Sequence, residues 1–509
     1  MNRIASITVV LQLPVPALSE IPPEVLQQIK SSTTNFGQRL IDQAAVPLTD
    51  PASVLKWEQE LHALVPRECI DPVTGAMVTA AVKDPVVVMK ANGLLELTPH
   101  ARLQNSKQGV TINLLGGGKV TVKTPYFLRR ASKRANGRRG KAGNGLYPAL
   151  SVLGIHERLT PAYASVVTRE VVKGSLDEAQ TSLRLRGIER DRKAIQRVVR
   201  VVSKRALTYQ KRLMRSGMTP EKPAWDLRGK RIGIFVDGGK VRTRKRKQGR
   251  RRRSGGKTFT ADWKEPRVIV ICELDEKGRK RRRGYVRYDA TIAKADEVFA
   301  RLASILRELG AHEAKAWVVG GDGAKWIWKE RVSKLIEIVG YDPARVVEIV
   351  DFYHAVEYLS EFASHRSGWT DADRKNWVKR MKRRLRKGDV DSIIEEMTPM
   401  CQGRNAKKLS KVVRRFQKNK HRMQYAAFRK AKLPCGSGVV ESAVRRIINL
   451  RLKGAGIFWR EATAEGLLHL RARYLSGDWD HYMMQIFNPE QLWEGKVRNS
   501  APGADCRAA

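Results

Sequence analysis

Two aspartates in this 509-residue chain close short apolar runs and are flanked by glycine. Asp237 follows RIGIFV and precedes Gly238-Gly239, and Asp322 follows AKAWVV inside Gly320-Gly321-Asp322-Gly323. Continuous apolar runs of this length predict buried strands, which puts both acids at strand ends. Neighbouring glycines let the backbone turn sharply and leave room for a ligand to approach. Two carboxylates sharing one crevice repel, and one pKa rises. The chain carries 98 Lys+Arg against 51 Asp+Glu, a formal net charge of +47. In so cationic a chain, the economical reason to gather acids is a hard divalent cation, Mg²⁺ or Mn²⁺. Two such ions roughly 3.5 to 4 Å apart can activate an attacking oxygen and stabilise a leaving one. Glu441, in LPCGSGVVESAVRRIINL, is the candidate third acid. Ser437 is expected to cap the helix that carries it, and Val440, Val444, Ile447 and Ile448 to pack that helix on a sheet. On spacing alone the alternatives stand open: Glu441 as a surface acid near a positive helix start, and each Asp as a turn former.

The elements that must position these acids follow from the apolar pattern. Strands are expected at 231–237, 267–274, 284–291, 314–322 and 346–351. Helices are expected at Lys294–Leu309, Ala324–Val339 and Tyr353–Ala363. Three strands in a meander and then alternating helices and strands is the order of an RNase H-like domain. The fold class expected is therefore α/β, an RNase H-like mixed sheet interrupted by a helical insertion, with a helical DNA-binding region N-terminal to it. In that sheet the first and fourth strands are neighbours, so Asp237 and Asp322 share a crevice.

The remaining segments divide as follows. Residues 1–125 are mixed, with a short strand near the start and two strands around the Gly-rich turn in 110–124. Residues 126–225 are helical. Within them, 129–145 read as a basic linker or phosphate-contacting loop, and Pro220 and Pro223 mark a boundary. Ser175 and Glu178 form a capping box, and a helix stops near Gly187. The next helix has an apolar stripe of Ile195, Val198, Val199 and Val202, with Arg192, Lys193, Gln196, Arg197 and Arg200 on its polar side. This reads as a helix-turn-helix pattern or, alternatively, as a helical hairpin with a solvated basic face. Residues 226–364 form the first part of the catalytic domain, 365–432 a basic helical insertion, 433–485 the final helices, and 486–509 a disordered tail.

Several blocks resemble one family. IFVDGGKV (234–241), GGDGAKWIW (320–328), VDFYHAVEYL (350–359), KNKHRMQYAAF, and LPCGSGVVESAVRRIINLRLKGAGIFWR (ending at 460) are similar to the DDE transposases of bacterial insertion sequences. The likeness is to the ISKra-type group, distant relatives of the Mutator-like transposases. It covers roughly half the chain, from about 230 to 480, and its most specific part is the ordered set G-S-G-V-V-E, R-L-K, G-x-x-W. It implies a triad of Asp237, Asp322 and Glu441, separated by 85 and 119 residues, the second gap holding the helical insertion. It implies supporting positions at Asp351 and His354 of a D-x-x-H motif, and at Arg451, Lys453 and Trp459. His354 is alternatively a satisfied structural histidine, and Trp459 either a core residue or a stacking surface for an unpaired base. The chemistry implied is hydrolytic cleavage at an element end, aided by two divalent ions, and then attack of the freed 3′-hydroxyl on target DNA. No covalent protein–DNA intermediate is involved. The Cys/His zinc module of Mutator-like relatives is lacking.

The charge fits that resemblance. A pI near 10.5 calls for a polyanion, and nucleic acid releases counterions on binding. RTRKRKQGRRRR (242–253) holds nine cations in twelve residues, including Arg242, Arg244, Lys245, Arg246, Arg251 and Arg252. With KGRKRRR (277–283) it is expected to project from one end of the meander and grip phosphates near the crevice. KRMKRRLRK (379–387), with Lys382 and Arg383, is seven-ninths cationic. Such runs are alternatively solvated faces. The partners expected are double-stranded DNA (terminal inverted repeats and target) and at least a second protomer, in the nucleoid of a bacterial cytoplasm and with no membrane. Cys69, Cys272, Cys401, Cys435 and Cys506 form no C-x-x-C pair, so neither a zinc finger nor a disulfide framework is suggested. The rival readings are an inactive transposase-derived DNA-binding protein and an RNase H-like nuclease.

Overall fold

The computed structural model describes residues 21–45, 49–96, 101–129, 145–216, 225–246 and 259–488. The expected first strand, most of the 129–145 segment, the Pro220–Pro223 boundary, residues 247–253 with Arg251 and Arg252, and nearly all of the tail lie outside them. The chain divides into two compact units, Met1–Val202 with Met483–Ala509, and Ser203–Tyr482.

The first unit begins with helices α1 (Pro23–Ala44), α2 (Pro51–Val65), α3 (Asp71–Ala81) and α4 (Pro85–Glu96). The expected hairpin follows as β1 (Ala101–Asn113) and β2 (Lys119–Arg129), paired antiparallel. Then come α5 (Pro148–Val152), α6 (Pro161–Lys173) and α7 (Leu176–Arg184). Ser175 and Glu178 form the capping box, with Ser175 Oγ accepting from the Glu178 amide at 3.1 Å. Gly187 turns the chain at φ 75°, the left-handed region that glycine enters without a steric cost. Helix α8 (Arg192–Ser216) carries Ile195, Val198, Val199 and Val202 buried. Arg192, Lys193, Gln196, Arg197 and Arg200 are exposed on it. No single helix among the described residues is long and apolar enough to cross a membrane.

The second unit is mixed α/β around a five-stranded sheet. Its strands are β3 (Arg231–Gly238), β6 (Arg267–Glu273), β7 (Val286–Thr291), β8 (Ala316–Gly321) and β9 (Val346–Val350), in the order β7-β6-β3-β8-β9. β3 runs antiparallel to β6 and parallel to β8, and β8 parallel to β9. The central strands are apolar throughout because helices cover the sheet; Ile232, Ile234, Val236, Val268 and Val270 have no exposed surface. Helix α9 (Ala295–Glu308) lies between β7 and β8 in sequence. The helix expected over Ala324–Val339 is two helices, α10 (Lys325–Trp328) and α11 (Arg331–Val339), because Lys329 turns extended after the first and Glu330 adopts φ 55° before the second. Helix α12 (Phe352–Ser364) follows β9 directly.

The next segment is helical: α13 (Asp371–Lys387), α14 (Val390–Met397), α15 (Ala406–Asn419) and α16 (Tyr425–Lys430). Its apolar stripes, Trp377, Met381, Leu385, Leu409, Val412 and Phe416, are buried in the same core as the sheet residues. Helix α17 (Gly438–Val444) carries Glu441 and continues through a π-turn (Arg445–Asn449) into α18 (Leu450–Leu452). Helices α19 (Glu461–Ser476) and α20 (Trp479–Phe487) are the last described elements.

Two expectations need correction. A further antiparallel hairpin, β4 (Val241–Arg246) and β5 (Phe259–Lys264), stands between the first two strands of the sheet. The described part of the first basic run, 242–246, and the run 277–283 also do not leave the same end of the meander. The first run follows the Asp237 end of β3. The second turns between β6 and β7, beside Arg231, whose carbonyl accepts from the Leu274 amide at 2.8 Å. Successive turns of an antiparallel meander lie at opposite ends, so 277–283 sits about six residues of strand, or roughly 20 Å, from Asp237.

Candidate functional site: acids at three adjacent strand ends

Register aligns the acids. Val236 of β3 pairs with Gly321 of β8, and Gly321 with Val350 of β9. The next residues, Asp237, Asp322 and Asp351, therefore form a row at the carboxyl ends of three adjacent parallel strands. Such strand ends are the usual ligand side of an open sheet. The third acid was expected from elsewhere in the chain, and Asp351 only as a support, so this row exceeds the pair derived from pattern.

Asp237 and Asp322 are short of partners. Asp237 Oδ1 accepts from the Gly238 amide at 2.7 Å, and Asp322 Oδ1 from the Ala324 amide at 3.0 Å. Neither forms an ion pair among the described residues. Burial pushes both pKa values above the ordinary aspartate range. Nearby charge adds to this: Asp322 and Glu441 around Asp237, and Glu265 beside Asp322, against a lowering influence from His354 on both. Glu265 and Arg415 act on Asp322 with no motif to announce them.

Asp351 is spent differently. It is 2% exposed, and its Oδ1 accepts from the amides of Tyr353 (2.7 Å) and His354 (3.0 Å), capping α12. Its Oδ2 accepts from the amide of Ser437, at the start of the helix that carries Glu441. One carboxylate thus fastens two helix starts to a strand end. A carboxylate already taking three amides has little lone-pair capacity left, which suits Asp351 to positioning. Ser437 does not cap α17 through its side chain. Its backbone is turned toward Asp351, and its hydroxyl lies 3.4 Å from Glu441 Oε1.

The consequence is a cluster: ligand atoms of Asp351, His354 and Glu441 lie within 4.8 Å of one another. This, and not the expected triad, is the group of three donors that comes so close among the described residues. His354 is half-buried, with Nδ1 3.0 Å from Glu357 Oε2. Burial lowers its pKa, but the Glu357 hydrogen bond and the charges of Asp351, Glu357 and Asp237 outweigh that and raise it. Gly239 lies close under the π-turn after α17, where a Cβ would meet Ile448 Cδ1 at 2.5 Å and displace that side chain.

The remaining expected residues lie around this centre. Trp459 is half-buried: its indole donates to the Leu452 carbonyl at 2.9 Å, and its backbone exchanges hydrogen bonds with Arg242 and Arg244 of β4. The Arg451 guanidinium sits 5.3 Å over the Trp459 ring, and Lys453 is exposed. Arg451 and Trp459 therefore anchor the β4–β5 hairpin. Arg244 and Lys245 are exposed on it; nothing is described for the side chain of Arg246. On α13, Arg383 is exposed and Lys382 Nζ lies 5.8 Å over the ring of Tyr353, the neighbour of His354. Cys69, Cys272, Cys401 and Cys435 are free thiols. No family model matches the chain, and no characterised protein gives a significant match to it.

Proposed function

We propose that this chain is a DNA transposase of an insertion sequence, an enzyme that cuts and joins DNA strands with the help of divalent metal ions. One observation carries the reading. In a chain of net charge +47, three adjacent strand ends present acids, a fourth is brought to them, and two have no cationic partner within ion-pair distance among the described residues. Buried acids in a structural role are paired or hydrogen-bonded. Asp237 and Asp322 each accept one backbone amide and form no ion pair among the described residues, and their remaining carboxylate oxygens fit a divalent cation. The strand order 3-2-1-4-5 supports assignment of the second unit to the RNase H-like class, with residues 365–432 as a helical insertion.

On this reading Asp237 would hold both ions, and Asp322 and Glu441 would each complete one site. Two bound Mg²⁺ or Mn²⁺ ions supply Lewis-acid stabilisation of charge on the entering and leaving phosphodiester oxygens. The protein's own residues do the rest. Asp351 fixes the starts of α12 and α17, so that His354 and Glu441 face the row. His354, its pKa raised by the Glu357 hydrogen bond and the neighbouring acids, lowers the pKa of Asp237 and Asp322 in return and can meet a phosphate. Arg242, Arg244, Lys245, Lys382 and Arg383 neutralise the DNA backbone, and the exposed face of α8 (Arg192, Lys193, Gln196, Arg197, Arg200) recognises element ends. The enzyme acts in the bacterial nucleoid as at least a dimer, since two ends must be joined.

The test is a strand-transfer assay in Mg²⁺ or Mn²⁺ with a substrate bearing the element's ends. The wild type joins a 3′-hydroxyl end to target DNA, and Asp237→Ala binds DNA but neither cuts nor joins. Cutting without joining would identify an RNase H-like nuclease, and binding alone a DNA-binding protein derived from such an enzyme.

A further inference from the structure

The β4–β5 hairpin leaves the candidate site four residues after Asp237, and the crevice chemistry makes no use of its outer face. Paired residues of an antiparallel ladder share a face. Arg242 pairs with Trp263, Arg244 with Ala261, and Arg246 with Phe259. That face alternates rings and cations. The Arg242 guanidinium lies 5.8 Å from the Trp263 ring and 4.9 Å from that of Phe458. The Arg244 guanidinium lies 5.9 Å from Phe259, and Phe259 stands 5.2 Å from Phe458. Trp263 is 61% and Phe259 40% exposed. Opposite, Val241 and Thr243 are buried, and the backbone of β4 is tied to Trp459, so the exposed rings stand on a fixed base.

We propose that this face is a stacking platform for unpaired bases of a single-stranded DNA segment next to the reacting phosphodiester. The inference rests on the transposase reading, which requires strands to be opened or freed at an element end. A large indole left in water forgoes a burial that aromatic side chains normally achieve. The arginines between the rings exclude an apolar partner and suit a polyanion. Rings interleaved with cations are what sequence-tolerant binding of single strands needs, because every base has a π-face and every nucleotide a phosphate. Trp263 and Phe259 are four residues apart on one strand, about 14 Å, a distance that a few nucleotides bridge. Trp459 is not the platform, since its indole N–H is taken by the Leu452 carbonyl and Arg451 covers its ring.

The experiment measures fluorescence anisotropy of a labelled oligothymidine and of a duplex of equal length, with the full chain in EDTA. Trp263→Ala is expected to weaken single-strand binding by roughly 5- to 150-fold and to leave duplex binding within about twofold. Trp263→Phe retains most of the affinity, and Phe259→Ala shows a smaller loss of the same kind. Equal loss on both DNAs, no loss on either, or no single-strand binding by the wild type overturns the proposal. If Trp263→Ala does not fold, photocrosslinking of the wild type to a bromodeoxyuridine oligonucleotide decides. Adducts on Trp263 or Phe259 support the platform, and adducts only elsewhere overturn it. Because no metal is present, a platform that passes while strand transfer fails isolates the failure to the catalytic reading.

Discussion

Acids gather in two places in the second unit, buried beside β7 and half-buried at Asp237 and Asp322. Beside β7, three buried arginines meet three buried carboxylates. Arg287 donates to Asp478 at 3.1 Å and lies 3.8 Å from Glu308, Arg473 also binds Asp478, and Arg301 lies 3.9 Å from Asp289. His469 adds contacts to Asp289 (2.9 Å) and to the Tyr482 hydroxyl (2.7 Å). Burial alone would raise the pKa of Asp289, but the His469 hydrogen bond and the charges of His469, Arg301 and Arg287 hold it below the ordinary value. In the crevice the balance runs the other way, and Asp237 and Asp322 rise. Asp478 and Glu308 are raised by burial as well, against the lowering charge of Arg287, so the two places differ in ion pairing: the acids beside β7 face buried arginines, whereas Asp237 and Asp322 form no ion pair among the described residues.

The comparison breaks or sharpens under substitution. The largest effect expected is on chemistry. Asp322→Ala or Glu441→Ala should lower metal-dependent strand cleavage by roughly 10³-fold or more, the scale of several kcal/mol of lost charge stabilisation. Duplex affinity, read by anisotropy, should be unchanged. Near-normal cleavage by either variant would return that acid to the class of turn formers and surface carboxylates. Next is Asp289→Ala, which removes the carboxylate from the His469 ring and from Arg301, while Arg301 keeps Glu297 and Glu465 at 2.8 Å. Removing one partner of a buried pair costs about 3–5 kcal/mol, to be read from urea denaturation, and a loss under 1 kcal/mol would deny the network its structural role. Asp237→Asn should do the reverse and stabilise the metal-free protein by about 0.5–2 kcal/mol, the usual gain when a strained functional group is relieved. Destabilisation on the Asp289 scale would place both acids in one class.

The smallest effect is on pH dependence, and its sign differs between the regions. Asp237 and Asp322 have folded pKa values above the unfolded value of about 3.9. They favour the fold below that value, and the contribution is lost as pH rises through their raised pKa. Asp289, with its lowered pKa, contributes above the unfolded value and loses the contribution as pH falls through its own. The stability gap between Asp237→Asn and the wild type should therefore narrow from pH 7 toward pH 4, and a gap that widens on acidification would contradict the assigned directions.

What was legible in the sequence follows from range of interaction. The apolar runs of β3, β6 and β8 announce themselves because both faces of those strands are buried, and Asp237 and Asp322 are read from where the runs stop. β4 was missed because its cations mask any alternation, and its partner β5 lies across residues 247–258. Glu441 rests on resemblance, since α17 is only seven residues long and offers little periodicity. The tie from Asp351 to the Ser437 amide spans 86 residues and leaves no local mark. The capping box at Ser175 and Glu178, by contrast, is wholly local and was read directly.

The most direct test of the central claim is a Mn²⁺ titration of the metal-free full-length protein, followed by electron paramagnetic resonance of free ion, for the wild type, Asp237→Asn and Asp289→Asn. The account predicts that the wild type takes up the ion, that Asp237→Asn loses this uptake, and that Asp289→Asn retains it wherever the protein remains folded. Undiminished uptake by Asp237→Asn, or none by the wild type, would contradict it.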